Sequence, residues 1–160
     1  MKVGMIMKKV VKKLTEKNKT ISTMESCTGG GVANAITSIE GASEVLKFSA
    51  VTYSNEYKIK MGVSSKVIDK YSVYSIETAM EMARNISKFT NSNYGVGITG
   101  KLNRIDKRNP YGEDNVVYIS IYDKDNDKYY NKDIKVDKST RTQNKKLVIK
   151  EIEKILLEVI

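Results

Sequence analysis

Histidine is absent from this chain, and cysteine and proline occur once each. Without histidine, Ser-His-Asp and Cys-His mechanisms are excluded, so any general base is a Lys, Asp, Glu or Tyr. A single cysteine, Cys27, allows no internal disulfide, and the lack of any Cys/His cluster argues against zinc. Long apolar runs are missing too. No stretch approaches the roughly 20 residues that span a bilayer. The N-terminal run from Val3 to Met7 is broken by Lys8 and Lys9, too short for a signal core. The expectation is a cytoplasmic protein without a membrane partner.

What is present fits one domain over residues 1–160, long enough to bury a core without staples. Apolar residues at 40% and charged residues at 29% are ordinary for a globular chain. The net charge of +9 has two readings. One is attraction to an anionic partner, and the other is a set of solvated lysine faces, which the Lys- and Asn-rich composition favours. The basic run Lys101, Arg104, Lys107 and Arg108 has only Tyr111 as an aromatic neighbour. Base stacking is poorly served by that pattern, so a nucleic-acid partner is not expected.

Ile6, Val10, Val11 and Leu14 recur at helical spacing and predict an amphipathic first helix ending near Asn18. Thr20 to Met24 reads as a strand, followed by a Gly-rich turn and a small-residue helix from Val32 to Thr37. Phe48 to Tyr53 reads as a buried strand. Asn55 to Met61 reads as a short helix stopped by Gly62. Ser64 or Ser65 can cap another helix, and Ser75 a longer one with the buried stripe Ala79, Met82, Ala83, Ile86 and Phe89. Tyr94 to Thr99 is a strand, Lys101 to Asn115 a polar surface loop, and Val116–Tyr122 with Tyr129–Val136 a hairpin. A final helix carries Ile152, Ile155, Leu156 and Val159. This alternation predicts an α/β fold: a three-layer α/β/α sandwich, its sheet mostly parallel with a C-terminal antiparallel hairpin.

Ligands of such sheets bind beyond the carboxyl ends of strands, which here bear Ser26, Tyr53 and Thr99. Ser26 lies where a strand gives way to a helix through glycines. Its hydroxyl can act as a nucleophile beside helix N-terminal donors, or Ser26 and Thr28 can simply cap the helix. Cys27 is a rival nucleophile or inert packing. Lys58, five residues after Tyr53, can be a desolvated base or one solvated lysine among many. Gly97-Ile98-Thr99-Gly100 offers a second donor-rich turn.

Three segments together resemble the CinA C-terminal domain family, the nicotinamide-nucleotide amidohydrolases. They are Glu25-Ser26-Cys27-Thr28-Gly29-Gly30, Gly41-Ala42-Ser43, and the run from Val51-Thr52-Tyr53-Ser54-Asn55-Glu56-Tyr57-Lys58 to Val63. The resemblance implies an amidase that converts nicotinamide mononucleotide to nicotinate mononucleotide and ammonia, with no cofactor or metal. It assigns Ser26 as nucleophile, Lys58 as general base and Tyr53 as their hydrogen-bonding partner. It implies that Ser26 Oγ, Lys58 Nζ and the Tyr53 hydroxyl converge, and that Thr28, Gly29, Gly30, Thr99, Gly100 and Arg141 attend the substrate. Family members self-associate, which implies a homo-oligomer. They often carry a molybdopterin-binding-like domain for which 160 residues leave no room, so a stand-alone form is expected.

The chain departs from the family pattern in three places. After Thr99-Gly100 it runs into Lys101-Leu102-Asn103-Arg104-Ile105-Asp106, before Ser75 it has Ser72 and Tyr74 in place of Gly and Val, and before the last helix Ser139-Thr140-Arg141 keeps only the arginine of Gly-Asp-Arg. These segments shape the pocket, so a second reading is a related nucleotide-binding module that no longer catalyses.

Overall fold

Val10, Val11 and Leu14 return to one side of the first helix, α1 (Lys8–Glu16), and are buried while the intervening lysines stay in solvent. The computed structural model describes residues 5–104, 106–108 and 110–160. After α1 come β1 (Ile21–Glu25), α2 (Gly31–Thr37) and β2 (Ala50–Val51), then α3 (Asn55–Lys60), α4 (Ser65–Tyr71) and α5 (Ile76–Thr90). The chain ends with β3 (Tyr94–Gly100), β4 (Val116–Asp123), β5 (Lys128–Lys135) and α6 (Arg141–Val159).

The strands form one five-stranded sheet in the order β2-β1-β3-β4-β5. β1 runs parallel to both β2 and β3, whereas β4 and β5 add antiparallel strands beyond β3. The α/β architecture therefore agrees with the sequence expectation. The hairpin adds antiparallel strands at one side of the sheet as expected, and its neighbour there is β3.

The two faces of the sheet are packed by different means. On one, Val96, Ile98, Val117, Ile119 and Ile121 meet apolar residues of α1, α2 and α6 in the main core. On the other, α5 lies almost against the backbone of β3. A Cβ added at Gly95 would sit 2.1 Å from the Ala83 carbonyl oxygen, and one at Gly97 would sit 2.2 Å from that of Ala79. These glycines are there for the helix to approach.

Ser54, Ser64 and Ser75 cap α3, α4 and α5 with their side chains. α6 begins earlier than apolar periodicity suggests, because Thr140 and Gln143 close a reciprocal capping box.

Two sequence expectations are corrected. The strand predicted over 48–53 shrinks to Ala50–Val51. It lies at the sheet edge with a neighbour on one side only, so Val51 is exposed rather than buried. Phe89 does not join the buried stripe of α5. At that level Thr90 faces the sheet and donates to Ser22 Oγ at 3.0 Å, while Phe89, 67% exposed, packs on Phe48 at the surface.

Among the described residues no helix is long and apolar enough to cross a membrane. Among those residues, too, no three His, Cys, Asp or Glu side chains cluster as metal ligands. Val3 and Gly4, part of the short N-terminal apolar run, lie outside the described residues.

Candidate active site

β1 delivers Ser26 to the carboxyl edge of the parallel half of the sheet. The ladder to β3 continues one residue past the strand, since the Ser26 amide donates to the Ile98 carbonyl at 3.0 Å. On the other side the Thr52 amide donates to the Glu25 carbonyl at 2.8 Å. The backbone on either side of the Glu25–Ser26 peptide is thus fixed by two neighbouring segments.

The turn then reverses through Gly29 (φ 58°) and Gly30 (φ 92°), left-handed conformations that favour glycine. Gly30 is the N-cap of α2 and has no side chain to cap with. Glu25 does this from the strand below. Its fully buried carboxylate accepts from the amides of Val32 and Ala33, both at 2.9 Å, from the Thr28 hydroxyl at 2.6 Å and from the Thr23 hydroxyl at 3.0 Å. A negative charge at a helix N-terminus is favourable as well.

Lys58 reaches the same place from α3. It is the one buried residue of that helix, 1% exposed. Its Nζ donates to the Thr52 carbonyl at 2.7 Å and to Ser26 Oγ at 3.0 Å. Among the described residues, no carboxylate lies within ion-pair distance of it. Burial, which disfavours the charged ammonium, lowers its pKa from 10.5 to about 8, with Cys27 opposing weakly. About a tenth of Lys58 is therefore neutral at pH 7, far more than for a solvated lysine, and that form can take a proton from the serine beside it.

Cys27 lies next to Ser26 but is not activated. Burial, and then the charge of Glu25, push its thiol up to about 12. At neutral pH it is a protonated thiol and a poor nucleophile.

The structure brings Ser26 and Lys58 together and leaves Tyr53 apart from them. The Tyr53 side chain is 64% exposed, and its hydroxyl accepts a hydrogen bond from Arg141 Nη2 at 3.3 Å. Both Tyr53 and Arg141 line the mouth of the cleft that opens over Ser26. Gly100 lines it too. Thr28 and Thr99 are buried, with their hydroxyls engaged by Glu25 and by the Val73 carbonyl respectively. The Gly29 amide is engaged by the Ser26 carbonyl at 3.0 Å, and neither Gly29 nor Gly30 is among the cleft residues.

The cleft encloses about 730 Å³. Its lining contains six basic side chains (Lys58, Lys101, Arg104, Lys107, Arg108 and Arg141) against one carboxylate, Asp106. Such a wall suits an anionic ligand such as a phosphate ester. Arg104, Lys107 and Arg108 are exposed, as the polarity of the run implies, and they also line the cleft. No local signal distinguishes a loop that folds over a cleft from one that faces outward. Tyr74, also in the lining, was visible only as a departure from a family pattern. Altogether the arrangement sets a hydroxyl against an amine of lowered pKa that can deprotonate it, in a cleft whose basic lining suits a charged ligand.

Comparison with known proteins gives a consistent result. The family model described as the CinA C-terminal domain matches residues 4–160. A CinA-like protein of Endomicrobium trichonymphae is 44% identical over 114 residues, which is 69% of this chain and 26% of that protein. A CinA-like protein of Flavobacterium psychrophilum is 42% identical over 111 residues, again 69% of this chain and 26% of that protein. The chain spans about a quarter of the length of these curated relatives. Among solved structures, the competence/damage inducible protein CihA from Agrobacterium tumefaciens superposes with a TM-score of 0.86 at 25% identity, covering 98% of this chain and 94% of that one. A CinA superfamily protein from Escherichia coli shares the fold, with a TM-score of 0.87 at 22% identity over 99% of this chain and 91% of that one.

Proposed function

The chain belongs to the CinA C-terminal domain family, and from that premise we propose that it is an amidohydrolase that deamidates nicotinamide mononucleotide. The observation that carries this reading is the 3.0 Å contact between Lys58 Nζ and Ser26 Oγ in a buried site without a counter-charge. Evolution has little structural reason to bury an uncompensated amine against a serine, and a clear chemical one.

In the neutral form of Lys58 the contact reverses, and the Ser26 hydroxyl donates to the amine lone pair. Ser26 Oγ attacks the carboxamide carbon as its proton passes to Lys58. The tetrahedral intermediate collapses by breaking the C–N bond, and the Lys58 ammonium returns its proton to the departing ammonia. The resulting ester on Ser26 is then attacked by water, whose proton Lys58 takes. Breaking the ester bond releases nicotinate mononucleotide, and Ser26 recovers its proton from Lys58. Arg104, Lys107, Arg108 and Arg141, which line the cleft, supply the positive charge that would hold the substrate phosphate.

The decisive measurement is ammonia release from nicotinamide mononucleotide by the purified chain. Release at no more than the background of a Ser26→Ala control would defeat the reading.

Two further expectations follow from the geometry. The base must be unprotonated, and the Lys58 pKa is lowered to about 8. Below that pH, kcat/KM should fall close to tenfold per unit, and above it should level off. A flat profile between pH 6 and 9 would remove Lys58 from the base role. Tyr53, bonded to Arg141 rather than to Lys58, is assigned to the substrate and not to proton transfer. Tyr53→Phe should raise KM about threefold to tenfold and change kcat little. A fall in kcat of about a hundredfold would instead restore Tyr53 as a proton relay.

A further inference from the structure

Two of the three places where this chain departs from the family pattern touch each other. Tyr74 sits between β1's cleft and the segment that follows Gly100, and three parts of that segment converge on it. Its hydroxyl donates to the Asp106 carboxylate. Lys101 Nζ stands over its ring, 4.9 Å from the centroid. The backbone at Gly112 crosses so close that an added Cβ would lie 3.0 Å from Tyr74 Cβ, and its φ of +83° suits glycine.

The same partners fold the segment on itself. The Lys101 side chain is 1% exposed, and its ammonium reaches the Gly112 carbonyl at 3.3 Å and Asp114 Oδ1 at 3.4 Å. The Arg104 amide donates to the Asp114 carbonyl at 3.1 Å, joining the outgoing and returning strands of the loop. Asp106 Oδ1 accepts from the Arg108 amide at 3.0 Å, so the carboxylate held by Tyr74 also sets the turn that bears Lys107 and Arg108. At the base, Leu102 is buried in the core, and its carbonyl accepts from Asn144 Nδ2 of α6 at 3.4 Å.

We propose that Tyr74 is a positioning residue for the anionic end of the substrate: by clasping Asp106, Lys101 and the Gly112 backbone, it holds Arg104, Lys107 and Arg108 against the cleft, opposite Arg141. The phosphate-binding wall of this chain is thus assembled through a tyrosine that touches no phosphate itself. Burial and the adjacent Asp106 both raise the tyrosine pKa, which keeps the hydroxyl protonated and able to donate at any pH the enzyme meets. The substrate half of this inference rests on the amidase reading; the clasp does not.

The test uses the full chain with Tyr74→Phe, Asp106→Ala and the double variant. Tyr74→Phe keeps the ring for Lys101 and loses only the hydroxyl bond. The first readout is limited trypsin digestion, with cleavage after Arg104, Lys107 and Arg108 followed by mass spectrometry. Each single variant should be cut there several-fold faster than the parent, and the double variant no faster than Asp106→Ala, because that substitution already removes the bond that Tyr74→Phe removes. The second is discrimination between nicotinamide mononucleotide and nicotinamide riboside, which lacks the phosphate. The ratio of their kcat/KM values should fall about tenfold in each variant, through KM for the phosphorylated substrate. A general loss of fold would lower both substrates together and leave the ratio alone.

Unchanged cleavage rates would overturn the clasp, and an unchanged ratio would overturn its role in phosphate binding. If the parent chain releases ammonia from neither compound, the amidase reading fails on its own. In that case trypsin digestion and calorimetry with ribose 5-phosphate still decide the inference: an affinity about tenfold weaker in Tyr74→Phe supports it, and equal affinity sinks it.

Discussion

Replacing Ser26 by alanine should lower amidase turnover by about 10⁴-fold or more, and replacing Lys58 by methionine should lower it by at least about 10³-fold. The double variant should be no worse than Ser26→Ala alone, because the two side chains act as one unit: the amine has nothing to deprotonate once the hydroxyl is gone. Methionine is chosen because it fills the space of the lysine stem without an amine. Its effect on stability should be small, within about 1 kcal/mol of the parent, since two losses and a gain oppose each other. The Thr52 carbonyl and Ser26 Oγ lose their donor, while a buried amine without a counter-charge is removed. Thermal melts beside ammonia assays separate the two effects. Residual turnover within tenfold of the parent in Lys58→Met would show that another group serves as base.

The largest effect on stability is expected one residue earlier. Glu25→Ala should cost about 3–5 kcal/mol. It strands the buried Val32 amide and Thr28 hydroxyl and the half-buried Ala33 amide, while the Thr23 hydroxyl keeps Ser49 as a partner. Glu25→Gln is more informative. One amide oxygen can still serve Thr28 and Val32, but the NH₂ group then faces the Ala33 amide, donor against donor, whereas the Thr23 hydroxyl can turn to accept. The expected cost is about 1.5–3 kcal/mol, smaller than for alanine and well short of neutral. Chemical denaturation of both variants gives the comparison. A Gln variant as stable as the parent would mean that charge at the start of α2 contributes nothing.

Much of this architecture could be read from residue order. Period and caps located nearly every helix, and the turn of glycines marked the nucleophile. Legibility failed where a residue's fate depends on what lies across the sheet. Phe48 to Tyr53 has the composition of a buried strand, yet its position at the edge was decided by strand order, which local pattern does not encode. Phe89 matched the helical stripe of α5 and was displaced by Thr90, whose partner Ser22 is distant in sequence. At the site, the family resemblance carried Lys58 to Ser26 correctly as neighbours, whereas spacing alone left it one lysine among many. Tyr53 shows the converse. A role transferred by position does not fix the side-chain direction, and here Arg141 from α6 competes for its hydroxyl. The basic loop is exposed over most of its length, as its polarity implies, but its place along the cleft depends on Tyr74, an anchor in a different segment.

The distribution of labour within Glu25-Ser26-Cys27-Thr28-Gly29-Gly30 bears on how descendants of this protein would diverge. Glu25, Thr28 and the two glycines are held by folding: they cap α2 and make the turn whether or not any amide is hydrolysed. A lineage that abandoned catalysis would keep them under purifying selection and go on displaying most of the signature. Ser26 and Lys58 have no such protection. Relaxed selection would remove the buried lysine first, since losing it costs the fold little. In a collection of such sequences, the letter at position 58 is therefore a better marker of a working enzyme than the motif that draws the eye.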